Sequence, residues 1–175
     1  WVNSTGDVYK KLKADGNIVE LTSVLDPGGV EGWWLPTYLV EAHPELATIE
    51  GVMANPELVG GMFNNCPDGW GCRIVNDNMI RAFNLEESGI KVFNHGSGQT
   101  LATSMAAAYQ SEEPWFGYYW GPTTPMGKFA MTSIDLGEYD KDIHQANQNA
   151  DTPNPKASSF PAAPIVTVVT KDFMK

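Results

Sequence analysis

Residues 65–72 read Asn65-Cys66-Pro67-Asp68-Gly69-Trp70-Gly71-Cys72, the most informative stretch of the chain. One proline and two glycines between the two cysteines predict a tight, rigid loop. Apolar residues then recur at helical spacing over residues 72–85, so we expect a helix to begin near Cys72. The loop therefore places Trp70 and Gly71 at the N-terminus of a helix.

This helix N-terminus is a candidate anion site. The first backbone N–H groups of a helix have no internal partner, and the helix dipole is positive there. Gly71 has no side chain, so an anionic group can approach these N–H groups closely. We expect Trp70 to lie beside the site. The alternative is a structural loop in which Trp70 fills the core.

The chain has two cysteines, Cys66 and Cys72. They are either two independent thiols or a disulfide, and the close spacing favours a disulfide in an exported protein. Zinc would need further ligands, and the histidines His43, His95 and His144 are scattered. The acidic residues of the segment 135–142 indicate a solvated face rather than a calcium site. We therefore expect neither a metal site nor a cofactor.

A second aromatic segment reads Pro114-Trp115-Phe116-Gly117-Tyr118-Tyr119-Trp120-Gly121-Pro122. Strand alternation separates Trp120 from Trp115 and Tyr119, and we expect the latter two in the core. Trp120 ends the strand before a Gly-Pro break. A side chain at this position can project from the sheet edge into a cleft.

Extended and helical patterns alternate along the rest of the chain. We expect strands at residues 17–21, 59–63, 89–93, 115–120, 129–134 and 164–170, and an extended segment from residue 32 up to Pro36. We expect a helix capped by Thr5 through residue 13, and further helices at residues 40–42, 49–53, 72–85 and 97–110. Residues 26–29 predict a turn, and residues 140–159 an irregular surface segment. This order predicts a layered α/β domain, in which ligands sit beyond the carboxyl ends of strands.

The charge balance narrows the class of partner. Acidic residues number 21 against 11 basic ones, which gives a formal charge of −10. This charge repels phosphate backbones, so we expect no nucleic-acid partner, and it mildly favours cationic or zwitterionic ligands. No apolar run approaches the roughly 18 residues of a membrane span. The start at Trp1 without a basic and apolar leader is typical of a mature or trimmed fragment.

The tryptophans suggest a particular ligand chemistry. A quaternary ammonium cannot donate an N–H hydrogen bond, so proteins hold it against several aromatic faces by cation–π attraction and dispersion. A zwitterion with a carboxylate also needs a helix N-terminus or a basic donor. The chain has 6 tryptophans, and both kinds of group occur near Trp70.

The cysteine loop resembles that of the glycine betaine/proline betaine-binding proteins of ABC importers, which reads Cys-x-Pro-Gly-Trp-Gly-Cys. The run Phe116-Gly117-Tyr118-Tyr119-Trp120-Gly121-Pro122 is similar to the family's aromatic strand ending in Trp-x-Pro. Gly32-Trp33-Trp34-Leu35-Pro36-Thr37-Tyr38 resembles the strand that enters the second lobe. The resemblance runs from Trp1 to about Val169. It implies one lobe of a type II periplasmic binding protein, a three-layer α/β sandwich with a mixed, mostly parallel central sheet flanked by helices.

The resemblance also implies roles for single residues. Trp70 and Trp120 would flank the ammonium group. The backbone N–H groups of Gly71 and Cys72 would hold a carboxylate, and Cys66 and Cys72 would form the family's disulfide.

Trp1 falls where the family has a third box tryptophan, in a Trp-x-Pro-x-His stretch. Here that stretch reads Trp1-Val2-Asn3-Ser4-Thr5, so the proline and the carboxylate-binding histidine are missing. Thr5 would replace the histidine as a donor. Residues 1–5 and 160–175 would be the segments that cross between lobes, the first lobe would be largely absent, and this lobe alone would bind weakly.

The implied function is the solute-binding component of an ABC importer. It would capture a quaternary-ammonium osmolyte such as glycine betaine or choline for osmoprotection, without catalysis, in the periplasm or elsewhere outside the cytoplasm, and with the permease as its partner. Two alternatives remain open. A carbohydrate-binding module would spread its tryptophans along a flat face, and a small α/β hydrolytic enzyme would use Ser97 with a nearby base.

Overall fold

The computed structural model describes residues 2–174, without the side chains of residues 2–7, 26 and 27. The helices are α1 (Val2–Ala14), α2 (Thr37–Ala42), α3 (Ile49–Ala54), α4 (Gly71–Phe83), α5 (Gly98–Gln110), α6 (Thr124–Lys128) and α7 (Lys141–Ala146). Short 3-10 helices lie at Pro44–Ala47, Pro56–Val59, Leu85–Ser88 and Lys171–Met174. The strands are β1 (Ile18–Pro36), β2 (Met62–Asn65), β3 (Lys91–Asn94), β4 (Gly117–Gly121), β5 (Met131–Ser133) and β6 (Ala163–Thr170).

The strands form one mixed sheet in the order β3-β2-β4-β1-β5, and β6 pairs with β1 outside this path. Strand β2 runs parallel to β3 and β4, whereas β1 runs antiparallel to β4, β5 and β6. The mixed sheet is confirmed, but its parallel part is smaller than expected. Helices α4 and α5 form the long crossover connections that parallel strands need. Strand β1 precedes both helices in the chain and runs antiparallel to β4.

Helices cover both faces of this sheet. On one face, Trp33 packs against Phe63 with ring centroids 4.4 Å apart and donates its Nε1–H to Asn76 of α4 at 3.0 Å. On the other face, Trp115 donates its Nε1–H to Ser104 of α5 at 3.0 Å. The expected three-layer arrangement of helix, sheet and helix is therefore confirmed.

The turn expected at residues 26–29 is wrong, because β1 continues through this segment. Strand β6 pairs with β1 here, and Gly29 lies opposite Ala163. The register shifts between Leu25 and Gly29, so the residues that favour a turn produce an irregularity within the pairing. Pairing with a strand distant in sequence overrides the local turn preference.

Two smaller predictions also differ from the structure. Helix α1 already begins at Val2, so Thr5 lies inside the helix and does not precede it as a cap. The segment 140–159 contains α7, because the Asp140 side chain accepts hydrogen bonds from the backbone N–H groups of Asp142 and Ile143 at 2.9 and 3.0 Å. A short polar segment thus gains one helical turn or more from a single cap.

A set of polar side chains with a buried centre joins the sheet to α4. The Asn76 amide nitrogen donates to Asn65 Oδ1 at 2.8 Å, and the backbone N–H of Cys66 donates to the same oxygen at 2.9 Å. Asn65 and Asn76 are both fully buried. We call this set the Asn65–Asn76 network, and its members are Trp33, Asn65, Asn76, Asp77 and Asn94.

Asn65 is the last residue of β2, so the network fixes the direction in which the chain leaves the sheet. Its amide nitrogen donates to Asp77 Oδ1 at 3.0 Å and to Asn94 Oδ1 at 3.2 Å. These bonds tie the end of β2 to α4 and to the end of β3. The bonds of Asn76 with Trp33 and Asn65, and that of Asn65 with the Cys66 backbone, are buried, where an unpaired polar group is costly.

Replacing Asn76 with Ala should lower the free energy of unfolding by about 3 kcal/mol, because the Trp33 N–H and one lone pair of Asn65 lose their partners. Urea unfolding followed by circular dichroism measures this loss. Asn94→Ala is the matched control, since Asn94 is exposed and its loss should cost about 1 kcal/mol or less. Equal costs for the two variants would contradict the structural role of the network.

Candidate functional site

The predicted tryptophans meet at one edge of the sheet. Strands β2 and β4 run parallel, so the loop after β2 and the end of β4 lie at the same edge. Trp70 stands in that loop, and Trp120 is the penultimate residue of β4. Trp70 and Trp120 therefore lie near the carboxyl ends of parallel strands, where ligands commonly bind in such sheets.

The loop 66–70 is held from both ends. Asn65 bonds the backbone of Cys66, as described above. At the other end, Arg73 Nη1 donates to Asp68 at 2.6 Å, and Arg73 Nε donates to Asp77 at 2.8 Å. Arg73 thus links the loop to α4, and its guanidinium already has two carboxylate partners.

Both cysteines are buried and stand as free thiols in the structure. Burial raises the pKa of the Cys66 thiol, and the neighbouring Cys72 raises it further. The protonated, unreactive form is therefore the stable one. The disulfide between Cys66 and Cys72 is not confirmed and stays a prediction.

The Trp70 and Trp120 rings are in direct contact. Their centroids lie 5.2 Å apart, and their planes make an angle of 77°. Trp70 is 37% exposed, so it does not fill the core. Trp120 is half-buried and stacks on Tyr119 with centroids 4.6 Å apart. The two indoles form perpendicular walls that remain open to solvent.

A cavity of about 300 Å³ lies against these two walls. Its lining residues are Glu31, Gly69, Trp70, Gly71, Cys72, Tyr118 and Trp120. A second, shallower cavity of about 620 Å³ lies on the α5 side of the same tryptophans. We call the smaller one the tryptophan cavity, because it combines the aromatic walls with the start of α4.

The N-terminus of α4 is open at this cavity. Trp70 is the N-cap residue and makes no side-chain capping bond. Apart from the side chains of residues 2–7, 26 and 27, which are not described, no group of residues 2–174 accepts a hydrogen bond from the backbone N–H of Gly71 or Cys72. Two residues that line the cavity thus carry polarised donors at the positive end of a 13-residue helix, and no described group accepts from them.

Sequence reasoning missed two polar residues of the cavity, Glu31 and Tyr118. The Tyr118 hydroxyl donates to Glu31 Oε1 at 2.7 Å. Burial raises the pKa of the Glu31 carboxyl, and the hydrogen bond from Tyr118 partly offsets this. Burial and the charge of Glu31 together raise the pKa of the Tyr118 hydroxyl. The available signal was that Glu31 is the one charged residue within the segment 28–37.

Other candidates are placed as follows. Trp1 lies outside the described residues, as does the side chain of Thr5, so their predicted contacts stay predictions. Ser97 caps α5, because its Oγ accepts the backbone N–H of Thr100 at 3.1 Å. No cluster of metal-binding side chains occurs within the described part of the chain. Among helices of residues 2–174, none has the length and apolar character of a membrane span.

Comparisons with known proteins agree with this architecture. A family model described as the substrate binding domain of ABC-type glycine betaine transport system matches residues 1–175. No relative among curated protein sequences matches the chain.

Solved structures share the fold at low identity. A glycine betaine, L-proline ABC transporter binding protein (ProX) from Borrelia burgdorferi has a TM-score of 0.63 and 16% identity, over 97% of this chain and 55% of that one. An ABC-transporter choline binding protein in complex with choline has a TM-score of 0.61 and 17% identity, over 98% and 53%. Lactococcal OpuAC complexed with glycine betaine has a TM-score of 0.59 and 16% identity, over 98% and 56%.

The chain spans about half the length of these solved structures. The family model nevertheless matches it from the first residue to the last, and the observed mixed α/β sandwich is the fold these structures share. The chain therefore belongs to the OpuAC family, the substrate-binding domains of ABC-type glycine betaine transport systems.

Proposed function

We propose that this chain is one lobe of the solute-binding component of an ABC importer and that it captures a quaternary-ammonium compound. One observation supports the proposal above all others. Trp70 and Trp120 meet at 77° beside the open N-terminus of α4. A trimethylammonium group needs aromatic walls of this kind, because it has no N–H to donate.

The two indoles attract a cation without a hydrogen bond or an ion pair. A cation over the face of a tryptophan gains about 2 kcal/mol when the contact is desolvated. Trp70 is still 37% exposed, so the walls seen here enclose a ligand on one side only. A second lobe closing over the cavity would remove this water and strengthen both contacts.

We place that second lobe in the part of the intact protein that this chain does not span, since the similar solved structures are about twice as long. Residues 1–5 and 160–175 would then be the segments that cross between lobes. Trp1 would supply a third aromatic wall, and Thr5 a further donor. Without the second lobe, water stays in contact with both indoles, so the isolated lobe should bind the ligand weakly.

The backbone N–H groups of Gly71 and Cys72 would bind an oxygen atom at the opposite end of the ligand. Arg73 is less suited to this role, because Asp68 and Asp77 already engage its guanidinium. The choline and glycine betaine complexes among the similar structures support a ligand with a trimethylammonium group. The permease of the importer would be the partner, and the site of action would lie outside the cytoplasm.

The geometry favours this function over the two alternatives. A carbohydrate-binding surface would present its tryptophans along one flat face, whereas Trp70 and Trp120 converge at 77°. A hydrolytic role for Ser97 receives no support, because its hydroxyl accepts the capping bond of α5. Family membership likewise favours binding over catalysis.

Replacing Trp120 with Ala in the intact two-lobed protein should weaken the binding of choline and glycine betaine by about 30-fold, which corresponds to ~2 kcal/mol. Trp120→Phe should recover part of the loss, since it restores an aromatic face. Isothermal titration calorimetry measures both affinities. Phe93→Ala is the control, because Phe93 is an exposed aromatic that lines neither cavity. Unchanged affinity in Trp120→Ala would rule out the aromatic site.

A substitution at Gly98 tests the position of Trp70 without altering the indole itself. A Cβ atom on Gly98 would lie 2.6 Å from Trp70 Cη2, closer than real Cβ contacts allow, and 3.0 Å from Cζ2. Gly98→Ala should therefore displace the exposed indole and weaken ligand binding about tenfold, or by ~1.4 kcal/mol. Stability should change little, because a flexible side chain can move aside.

Gly96→Ala is the matched control for this variant, because a Cβ at Gly96 meets nothing within 4 Å. Near-ultraviolet circular dichroism reports the contact between the two indoles, and calorimetry reports the affinity. The interpretation fails if both alanine variants behave like the unmodified protein in the two measurements.

A further inference from the structure

Glu31 brings a negative charge into the tryptophan cavity. In the antiparallel pairing of β1 with β4, Glu31 lies directly opposite Trp120. Residues opposite each other in such a pair point to the same face of the sheet, so the carboxylate and the indole are neighbours. Both side chains line the cavity of about 300 Å³.

The carboxylate is held in place by a hydrogen bond from the neighbouring strand. Tyr118 is buried and donates its hydroxyl hydrogen to Glu31 Oε1 at 2.7 Å. Within the described residues, no Lys, Arg or His side chain makes an ion pair with Glu31. A half-buried carboxylate of this kind is stabilised by a positive charge that enters the cavity.

We propose that Glu31 is the counter-charge of the site and makes it prefer a quaternary-ammonium cation without a carboxylate over a zwitterion. This inference rests on the proposed function and adds the charge of the ligand to it. The positive nitrogen would lie against Trp70 and Trp120, with Glu31 beside it. Cation–π attraction and charge attraction then act on the same group.

The size of the cavity explains why a second carboxylate is disfavoured. A compact cavity of about 300 Å³ is about 8 Å across, which is no longer than the screening length of physiological salt. A ligand carboxylate at Gly71 and Cys72 would therefore feel the charge of Glu31. A hydroxyl group can accept the same backbone N–H bonds without this repulsion.

The test uses the intact protein and two probes with the same trimethylammonium group, choline and glycine betaine. The unmodified protein should bind choline about tenfold more tightly or better, because only the zwitterion places a second carboxylate near Glu31. Glu31→Gln keeps the shape and a hydrogen-bond acceptor for Tyr118. It should weaken choline binding about tenfold while leaving glycine betaine binding unchanged or improved.

Glu86→Gln is the matched control for net charge, because Glu86 is exposed and lines neither cavity. It should leave the preference for choline unchanged. A second measurement needs no variant. The methyl ester of glycine betaine lacks the carboxylate charge and should bind the unmodified protein about tenfold more tightly than glycine betaine itself.

The outcomes separate this inference from the proposed function. If the unmodified protein binds both probes, but Glu31→Gln leaves their affinity ratio within about twofold, the role of Glu31 is refuted and the aromatic site stands. An ester that binds no more tightly than glycine betaine also refutes it. If neither probe nor the ester binds the unmodified protein, the proposed function fails and this inference fails with it.

Discussion

The fold and the site both depend on the buried hydrogen bonds between Trp33, Asn76 and Asn65. These bonds measure 3.0 and 2.8 Å and join β1, α4 and the end of β2 in the core. A donor or acceptor left unpaired there would cost about 1–3 kcal/mol, so one arrangement of the chain is strongly favoured. The same network bonds the backbone of Cys66 and sets the path of the loop that carries Trp70. The loop reaches Trp120 in the structure while both thiols remain free.

Some kinds of interaction that stabilise the rest of the protein are absent at the site. Side chains of Thr48, Ser97 and Asp140 cap the helices α3, α5 and α7, whereas Trp70 at the start of α4 caps nothing. The carboxylate of Glu31 lacks a cationic partner within the described residues. An open helix N-terminus, a partly exposed indole pair and a carboxylate with no ion pair among the described residues each gain stability when a suitable ligand enters. Because all three line one cavity, a small cation that also carries a hydrogen-bond acceptor can satisfy them together.

Local sequence patterns predicted the parts of the structure that short-range interactions determine. The loop 65–72, the helix after it and the strand ending near Trp120 follow from turn residues and from periods of 3.6 and 2. The segment 26–29 was mispredicted, because its partner β6 lies far along the chain and no local pattern reveals that pairing. Glu31 was missed for a similar reason. Its role becomes visible only when the register of β1 and β4 places it opposite Trp120.

The central claim is that perpendicular indoles and a nearby carboxylate bind a permanently charged nitrogen. A crystal structure of the intact protein with choline tests this most directly. The quaternary nitrogen should lie within about 6 Å of the ring centroids of both Trp70 and Trp120. A choline molecule bound elsewhere, or one whose nitrogen touches neither indole, would contradict the claim.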